Sequence, residues 1–223
     1  GMGVDSGLPD FRGNQGMWRA YPELGKQRID FTEIANPAAF KCQPHLAWGF
    51  YGHRLALYRQ TMPHQGFNLL KQLAETLKLP YFVFTSNVDG QFQKAGFDPN
   101  QIYECHGSIH HLQCSKPCQL TTWSANELTL SRPNILMFND YAWVSQRHTQ
   151  QARCLENFLE AYNHPIVIEI GAGTAIPTVR YFSERFAPQL IRINPHEATL
   201  PSKGGVSIAE NALRGIGSVY QIF

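Results

Sequence analysis

Short apolar runs of strand length alternate with helically spaced apolar positions over much of this chain. The runs are Tyr81-Phe82-Val83-Phe84, Ile135-Leu136-Met137-Phe138, Ile166-Val167-Ile168-Glu169-Ile170 and Leu190-Ile191-Arg192-Ile193. Consecutive apolar residues without polar alternation predict strands covered on both faces, as in a buried parallel sheet. Leu70, Leu73, Ala74 and Leu77 ahead of the first run, and Leu155, Phe158, Leu159 and Tyr162 ahead of the third, follow helical spacing. Helices therefore alternate with strands, the pattern of an α/β protein whose parallel sheet is flanked by helices.

Each run closes on polar or glycine-rich residues: Thr85-Ser86-Asn87, Asn139-Asp140, Gly171-Ala172-Gly173-Thr174 and Asn194-Pro195. Ligand crevices of open α/β sheets lie at the carboxyl ends of the strands, so these clusters are expected to converge. Between Trp18 and His64 the chain is rich in aromatics, Pro and His without a clean strand pattern. It reads as a helical insertion, and His110 to Arg132 as a second small piece of the same lobe.

Composition narrows the function classes. Hydrophobic residues make up 43% and charged residues 16% of the 223 positions, the balance of a globular enzyme rather than a disordered chain. Nineteen basic residues against 17 acids leave a net charge of +2, too little for bulk capture of nucleic acid. No apolar run approaches the roughly 18 residues needed to cross a bilayer, and no basic flank with an apolar stretch opens the chain, so a soluble, cytoplasmic protein is expected. Five cysteines, an odd number, point to reduced thiols or a metal site rather than a disulfide scaffold.

Four segments carry candidate chemistry. The glycines of Gly3-Val4-Asp5-Ser6-Gly7-Leu8-Pro9-Asp10-Phe11-Arg12-Gly13 allow backbone amides to approach phosphate oxygens, with Arg12 as a charged contact; a surface turn is the other reading. In Ser86-Asn87-Val88-Asp89-Gly90, Asn87 and Asp89 follow a strand directly and would reach into the crevice, although the run is also ordinary turn chemistry. His106, in Glu104-Cys105-His106-Gly107-Ser108, can take a proton near neutrality or serve a structural role. Cys114 and Cys118 supply at most half of a four-ligand zinc site, and no second pair follows them.

Taken together and in this order, these segments resemble the sirtuin family of NAD-dependent protein deacylases. The matching pieces are Ser6 to Gly13, Ser86-Asn87-Val88-Asp89-Gly90 with Gln93-Lys94-Ala95-Gly96, and His106-Gly107-Ser108. Arg132-Pro133-Asn134-Ile135-Leu136-Met137-Phe138, the turn Gly171 to Thr174, and Ile193-Asn194-Pro195 continue the match. The resemblance implies a Rossmann-like domain over residues 1–15, 66–109 and 133–223, and a small, mainly helical lobe over 16–65 and 110–132 that keeps the remnant of a zinc-ribbon-like module. NAD and an acylated lysine of a protein or peptide would meet in the cleft between the two.

Carried over by position, the resemblance makes His106 the general base, with Asn87 and Asp89 as its partners in catalysis. Asp10 and Asp89 fall on the nicotinamide side, Phe11 shields the reactive sugar, and Arg12 holds the ribose-phosphate end. Ser86, Gly171, Gly173, Thr174 and Asn194 complete the cofactor contacts. The implied activity is cleavage of the nicotinamide–ribose bond with acyl transfer to ADP-ribose. An NAD glycohydrolase or ADP-ribosyltransferase on the same fold, or an inactive nucleotide-binding module, is the alternative.

This chain departs from the family pattern in four places. Ser86 stands where glutamine is usual, and Asn139-Asp140 where a glycine and a glutamate are usual in the substrate-pairing segment. The second cysteine pair is absent, so bound zinc is not expected. The family motif opens with a strand and a glycine-alanine-glycine turn, and Gly1 aligns with the last of those glycines. The first strand of the family fold is therefore expected to be absent from this chain, leaving a groove in the sheet with unpaired backbone groups.

Overall fold

A computed structural model describes residues 1–11, 13–116, 118–126, 131–201 and 204–222. After a 3-10 turn at Val4–Ser6, the described residues form five α-helices in succession: α1 (Gly13–Ala20), α2 (Pro22–Lys26), α3 (Phe31–Ile34), α4 (Pro37–Cys42) and α5 (Pro44–Gln60). Pro22, Pro37 and Pro44 each open a helix, where the missing N–H has no intrahelical partner to lose. Asp30 and Glu33 form a capping box at α3, and the Asn36 side chain accepts from the Ala38 amide at α4. These helices build the aromatic-rich segment as the pattern predicts.

The remaining elements are α6 (Gln65–Thr76), β1 (Val83–Thr85), α7 (Gln91–Lys94), β2 (Ile102–Glu104), β3 (Gly107–Cys114), β4 (Trp123–Ser124), β5 (Ser131–Ile135), α8 (Gln146–Ala161), β6 (Val167–Ile170), α9 (Thr178–Glu184), β7 (Leu190–Ile193), β8 (Val206–Ile208) and α10 (Ala212–Tyr220). The helically spaced positions Leu70 to Ala74 and Leu155 to Leu159 thus lie in α6 and α8, with Leu77 and Tyr162 as their C-caps. At the start of α6 the Gly66 amide donates to His64 Nδ1 at 3.0 Å, so Nε2 carries the ring proton and donates to the Met2 carbonyl at 3.0 Å.

Parallel pairing joins β1 to β2, and joins β6, β7 and β8 in that order; β4, β3 and β5 form an antiparallel sheet. The expectation of a parallel strand over Ile135–Phe138 is corrected here. Only Ile135 lies in a strand, and that strand, β5, runs antiparallel to β3 with Ile135 opposite Gly107. The run is apolar because Ile135 and Met137 pack into the core built by α1 to α5. A four-residue apolar run does not distinguish that burial from burial inside a parallel sheet.

Two apolar cores result. One joins Leu8, Met17, Ile34, Phe50, Tyr51 and Ile109; the other joins Phe67, Leu73, Ile102, Ile193 and Ile216 around the parallel strands. Among the described residues β1 pairs only with β2 and β6 only with β7. The two strands line one cavity of about 950 Å³, and both remain largely half-buried. The Gly1 amino group donates to the Gly171 carbonyl at 3.1 Å, just past the carboxyl end of β6. Among the described residues no helix is long and apolar enough to cross a membrane.

Candidate active site

The cavity is lined by Asp10, Phe11, Ser86, Asn87, Asp89, His106, Gly171 and Gly173. Segments far apart in sequence therefore converge where β1 and β6 end, with the turn before β3 completing the wall.

After β1 the chain turns because the Asn87 amide donates to Thr85 Oγ1 at 3.0 Å. Asp89 is 7% exposed, and its Oδ1 accepts from the Gln91 amide at 3.0 Å. Burial pushes the Asp89 carboxyl above its ordinary range, against the pull of the Gln91 amide, with Glu104 adding to the rise. His110 Nε2 lies 2.9 Å from the Asp89 carbonyl. Gly90, at φ +68°, leaves room for that ring, since a Cβ there would come 2.7 Å from His110 Cδ2.

His106 sits in the turn between β2 and β3. Its ring reaches the cavity, and Nε2 lies 3.3 Å from Thr178 Oγ1 at the start of α9. Burial, reinforced by nearby His148, lowers its pKa from the ordinary value, so the neutral imidazole able to take a proton predominates at neutral pH. His148 itself is tied to Tyr103, with Nε2 at 2.5 Å from the phenol oxygen.

Phe11 stacks on Tyr21 with ring centroids 6.1 Å apart, and the Arg54 guanidinium lies 4.5 Å from the Phe11 ring centroid. Arg54 is 7% exposed and donates through Nε and Nη2 to the Tyr58 hydroxyl, at 3.0 and 2.6 Å. With Tyr51 and Tyr58 it forms a part of the cavity wall that the motif reading passed over. The spacing of Tyr51, Arg54 and Tyr58, three and four residues apart on α5, was the available signal.

Arg12 lies outside the described residues. Thr174 and Asn194 stand off the cavity wall. The Thr174 hydroxyl donates to Glu197 at 2.5 Å, and its amide donates to the same carboxylate at 3.2 Å. Asn194 is fully buried; its Nδ2 donates to the Ala172 carbonyl at 2.9 Å, while Oδ1 accepts from the amides of His196 and Glu197 at 3.0 Å each. Both side chains brace the glycine turn from behind. The thiols of Cys114 and Cys118 are 2.6 Å apart, and the described residues contain no group of three or more His, Cys, Asp or Glu side chains that could hold a metal ion.

Fold and site together define an α/β protein with a cleft at the carboxyl ends of its parallel strands, walled by a histidine, an asparagine and two aspartates. The Sir2 family model matches residues 1–192, and the chain belongs to the Sir2 family. It is 26% identical over 232 residues to an NAD-dependent protein deacylase of Aquifex aeolicus (strain VF5), an alignment covering 99% of this chain and 90% of that protein. A solved Sir2 homolog–NAD complex matches with a TM-score of 0.72 at 21% identity, covering 99% of this chain and 85% of that one. Sir2Tm bound to a propionylated peptide matches with a TM-score of 0.67 at 17% identity, covering 99% and 89% of the two chains.

Proposed function

We propose that this chain is an NAD-dependent protein lysine deacylase that acts on an acylated lysine of a protein or peptide. The observation that carries the reading is the convergence of His106, Asn87, Asp89, Asp10 and Phe11 on one cavity. Family membership, the deacylase name of the Aquifex aeolicus relative and the NAD and propionylated-peptide complexes of the structural neighbours support it.

The end of the cavity bounded by Asp10, Phe11, Asn87, Asp89 and His106 gathers the polar groups and the aromatic face that a dinucleotide's sugar requires. Gly171 and Gly173 line the same cavity at the end of β6, where glycines leave main chain accessible to a ligand; at Gly171, with φ +61°, the Gly1 main chain packs against the turn. When bound, NAD supplies the nicotinamide–ribose bond whose cleavage drives acyl transfer. Asp10 and Asp89 would hold the nicotinamide side, and Phe11, packed against Tyr21 and Arg54, would keep water from the sugar. Asn87 orients a ribose hydroxyl or water. His106, neutral at physiological pH, removes a proton from a ribose hydroxyl so that the acyl group can move to ADP-ribose.

Ser86, Gly171 and Gly173, on the cavity wall, would contact the cofactor, and the resemblance assigns Arg12 to its ribose-phosphate end. Thr174 and Asn194 are expected to act through the shape of the glycine turn. A cytoplasmic setting belongs to the same reading, supported by a cysteine content of five, an odd number and too few for a disulfide scaffold.

A second reading, NAD glycohydrolase or ADP-ribosyltransferase, is favoured by the segment that would pair with an extended substrate. The Leu136 and Phe138 amides already donate to the carbonyls of His106 and Ala35, each at 2.9 Å, and Asp140 is buried against Arg132 at 2.7 Å. Nicotinamide release from NAD, measured with and without an acetyl-lysine peptide, separates the two readings. Deacylation predicts release that rises with the peptide, and a loss on the order of 10²–10⁴ in deacylation rate for His106→Ala. A His106→Ala protein deacylating at the parent rate would remove the basis of the proposal.

A further inference from the structure

The proposed base is held from one side by a residue remote in sequence. Thr178 is the first residue of α9, and its Oγ1 lies 3.3 Å from His106 Nε2. Helix α9 is itself fastened. The Ser183 hydroxyl donates to Glu169 of β6, and Arg180 Nη2 donates to the Ala172 carbonyl at 3.2 Å and the Glu197 carbonyl at 2.5 Å. The hydroxyl is therefore carried by a braced element rather than by a mobile loop.

From the other side His106 faces α8 and β2, where His148 stands with its Nε2 committed to the Tyr103 hydroxyl. Among the described residues His148 makes no hydrogen bond to the His106 ring, and Asp89 on the same cavity wall accepts from the Gln91 amide. Among the described residues Thr178 thus supplies the side-chain hydrogen bond that orients the imidazole.

We propose that Thr178 is a positioning residue for His106: its hydroxyl oxygen accepts from Nε2–H, keeping the ring proton at Nε2 and leaving Nδ1 as the nitrogen that takes the substrate proton. The same oxygen supports the imidazolium once the ring has accepted that proton, since a hydrogen bond to a charged donor is stronger than one to a neutral donor. Ring orientation and tautomer are set by the partner of the nitrogen that does not react, the logic by which histidine bases are generally held. This inference rests on the reading of His106 as the base.

The test compares Thr178→Val, which keeps the shape and removes the oxygen, with Thr178→Ser, which restores it. In the protein free of NAD, the ¹⁵N and ¹H shifts of the His106 ring are followed through a pH titration. The parent is expected to show the Nε2–H tautomer. In Thr178→Val its titration midpoint falls by about 0.5 pH unit, because the imidazolium loses its acceptor. In steady state Thr178→Val is expected to lower kcat for deacylation about tenfold, with KM for NAD changed less than twofold, and Thr178→Ser to recover most of the loss.

Unchanged titration and kcat in Thr178→Val overturn the inference, as does an Nδ1–H tautomer in the parent or a defect that Ser does not repair. His106→Ala, run alongside, distinguishes the two levels. If it is as active as the parent the functional reading falls; if it is inactive while Thr178→Val is normal, only the positioning role falls.

Discussion

Replacing Gly107 with Ala tests how the turn carrying His106 is held against its neighbour. Gly107 has φ +78°, a left-handed conformation that costs an L-residue about 1–2 kcal/mol. A Cβ there would also lie 2.1 Å from the Asn134 carbonyl oxygen on β5. That carbonyl has little room to withdraw, because Asn134 Nδ2 donates to Gln113 Oε1 and to the Val144 carbonyl, both at 2.9 Å. Overpacking of this kind adds roughly 1–3 kcal/mol, so the total expected loss is about 2–5 kcal/mol. Gly7 provides the control, with φ +86° and nothing within 4 Å of its Cβ position. Gly7→Ala should lose only the conformational part, about 1–2 kcal/mol. Urea unfolding of both variants gives the comparison, with the melting temperature falling about 2–4 °C for each kcal/mol. Equal losses in the two variants would refute the claim that the Asn134 backbone sets the requirement at Gly107.

Glu169→Ala should cost about 3–5 kcal/mol in urea unfolding, because Arg192, 1% exposed, loses contacts at 2.6 and 2.9 Å and keeps Glu184 and the Thr199 carbonyl; a loss under about 1 kcal/mol would contradict this. Gly49→Ala and Gly52→Ala, in α5 with nothing within 4 Å of either Cβ position, should each stabilise the protein by about 0.5–1 kcal/mol, and a lowered melting temperature would count against the geometry. Burial, with Arg147 and His110 adding, lowers the His111 pKa to about 4. Its unfolded form protonates first, so its stabilising contribution is complete above about pH 6.5 and is lost as the pH falls towards 4. Unfolding free energy measured across that range should slope less steeply in His111→Phe, by up to one proton, and an unchanged slope would refute the assignment.

The helices around Leu70–Leu77 and Leu155–Tyr162 were legible because each shows one apolar face to the interior at 3.6-residue spacing. The β6 and β7 strands were legible for the complementary reason, as apolar runs packed between helices. Ile135–Phe138 carries the same signature from a different cause, since α3 to α5 cover Ile135 and Met137 from one side. Three-residue strands such as Ile102–Glu104 and Val206–Ile208 are too short for any period to show. At the site, the residues beside glycines and at strand ends could be named from the chain. Arg54 was passed over because a charged residue on a helix ordinarily faces water, and nothing in the local pattern shows that aromatic rings surround it. Thr174 and Asn194 illustrate the opposite case: polar side chains at strand ends whose hydrogen bonds are spent on the chain's own turns.

The parted sheet has a consequence for local motion. Among the described residues, amides on the cavity-facing edges of Val83–Thr85 and Val167–Ile170 have no strand partner, whereas those turned towards β2 and β7 are laddered. Deuterium uptake should therefore alternate along these two segments, fast where an N–H looks into the cavity and slow where it looks away. Any chain segment or ligand that fills the cavity and bonds to that edge would be read directly as protection of those amides.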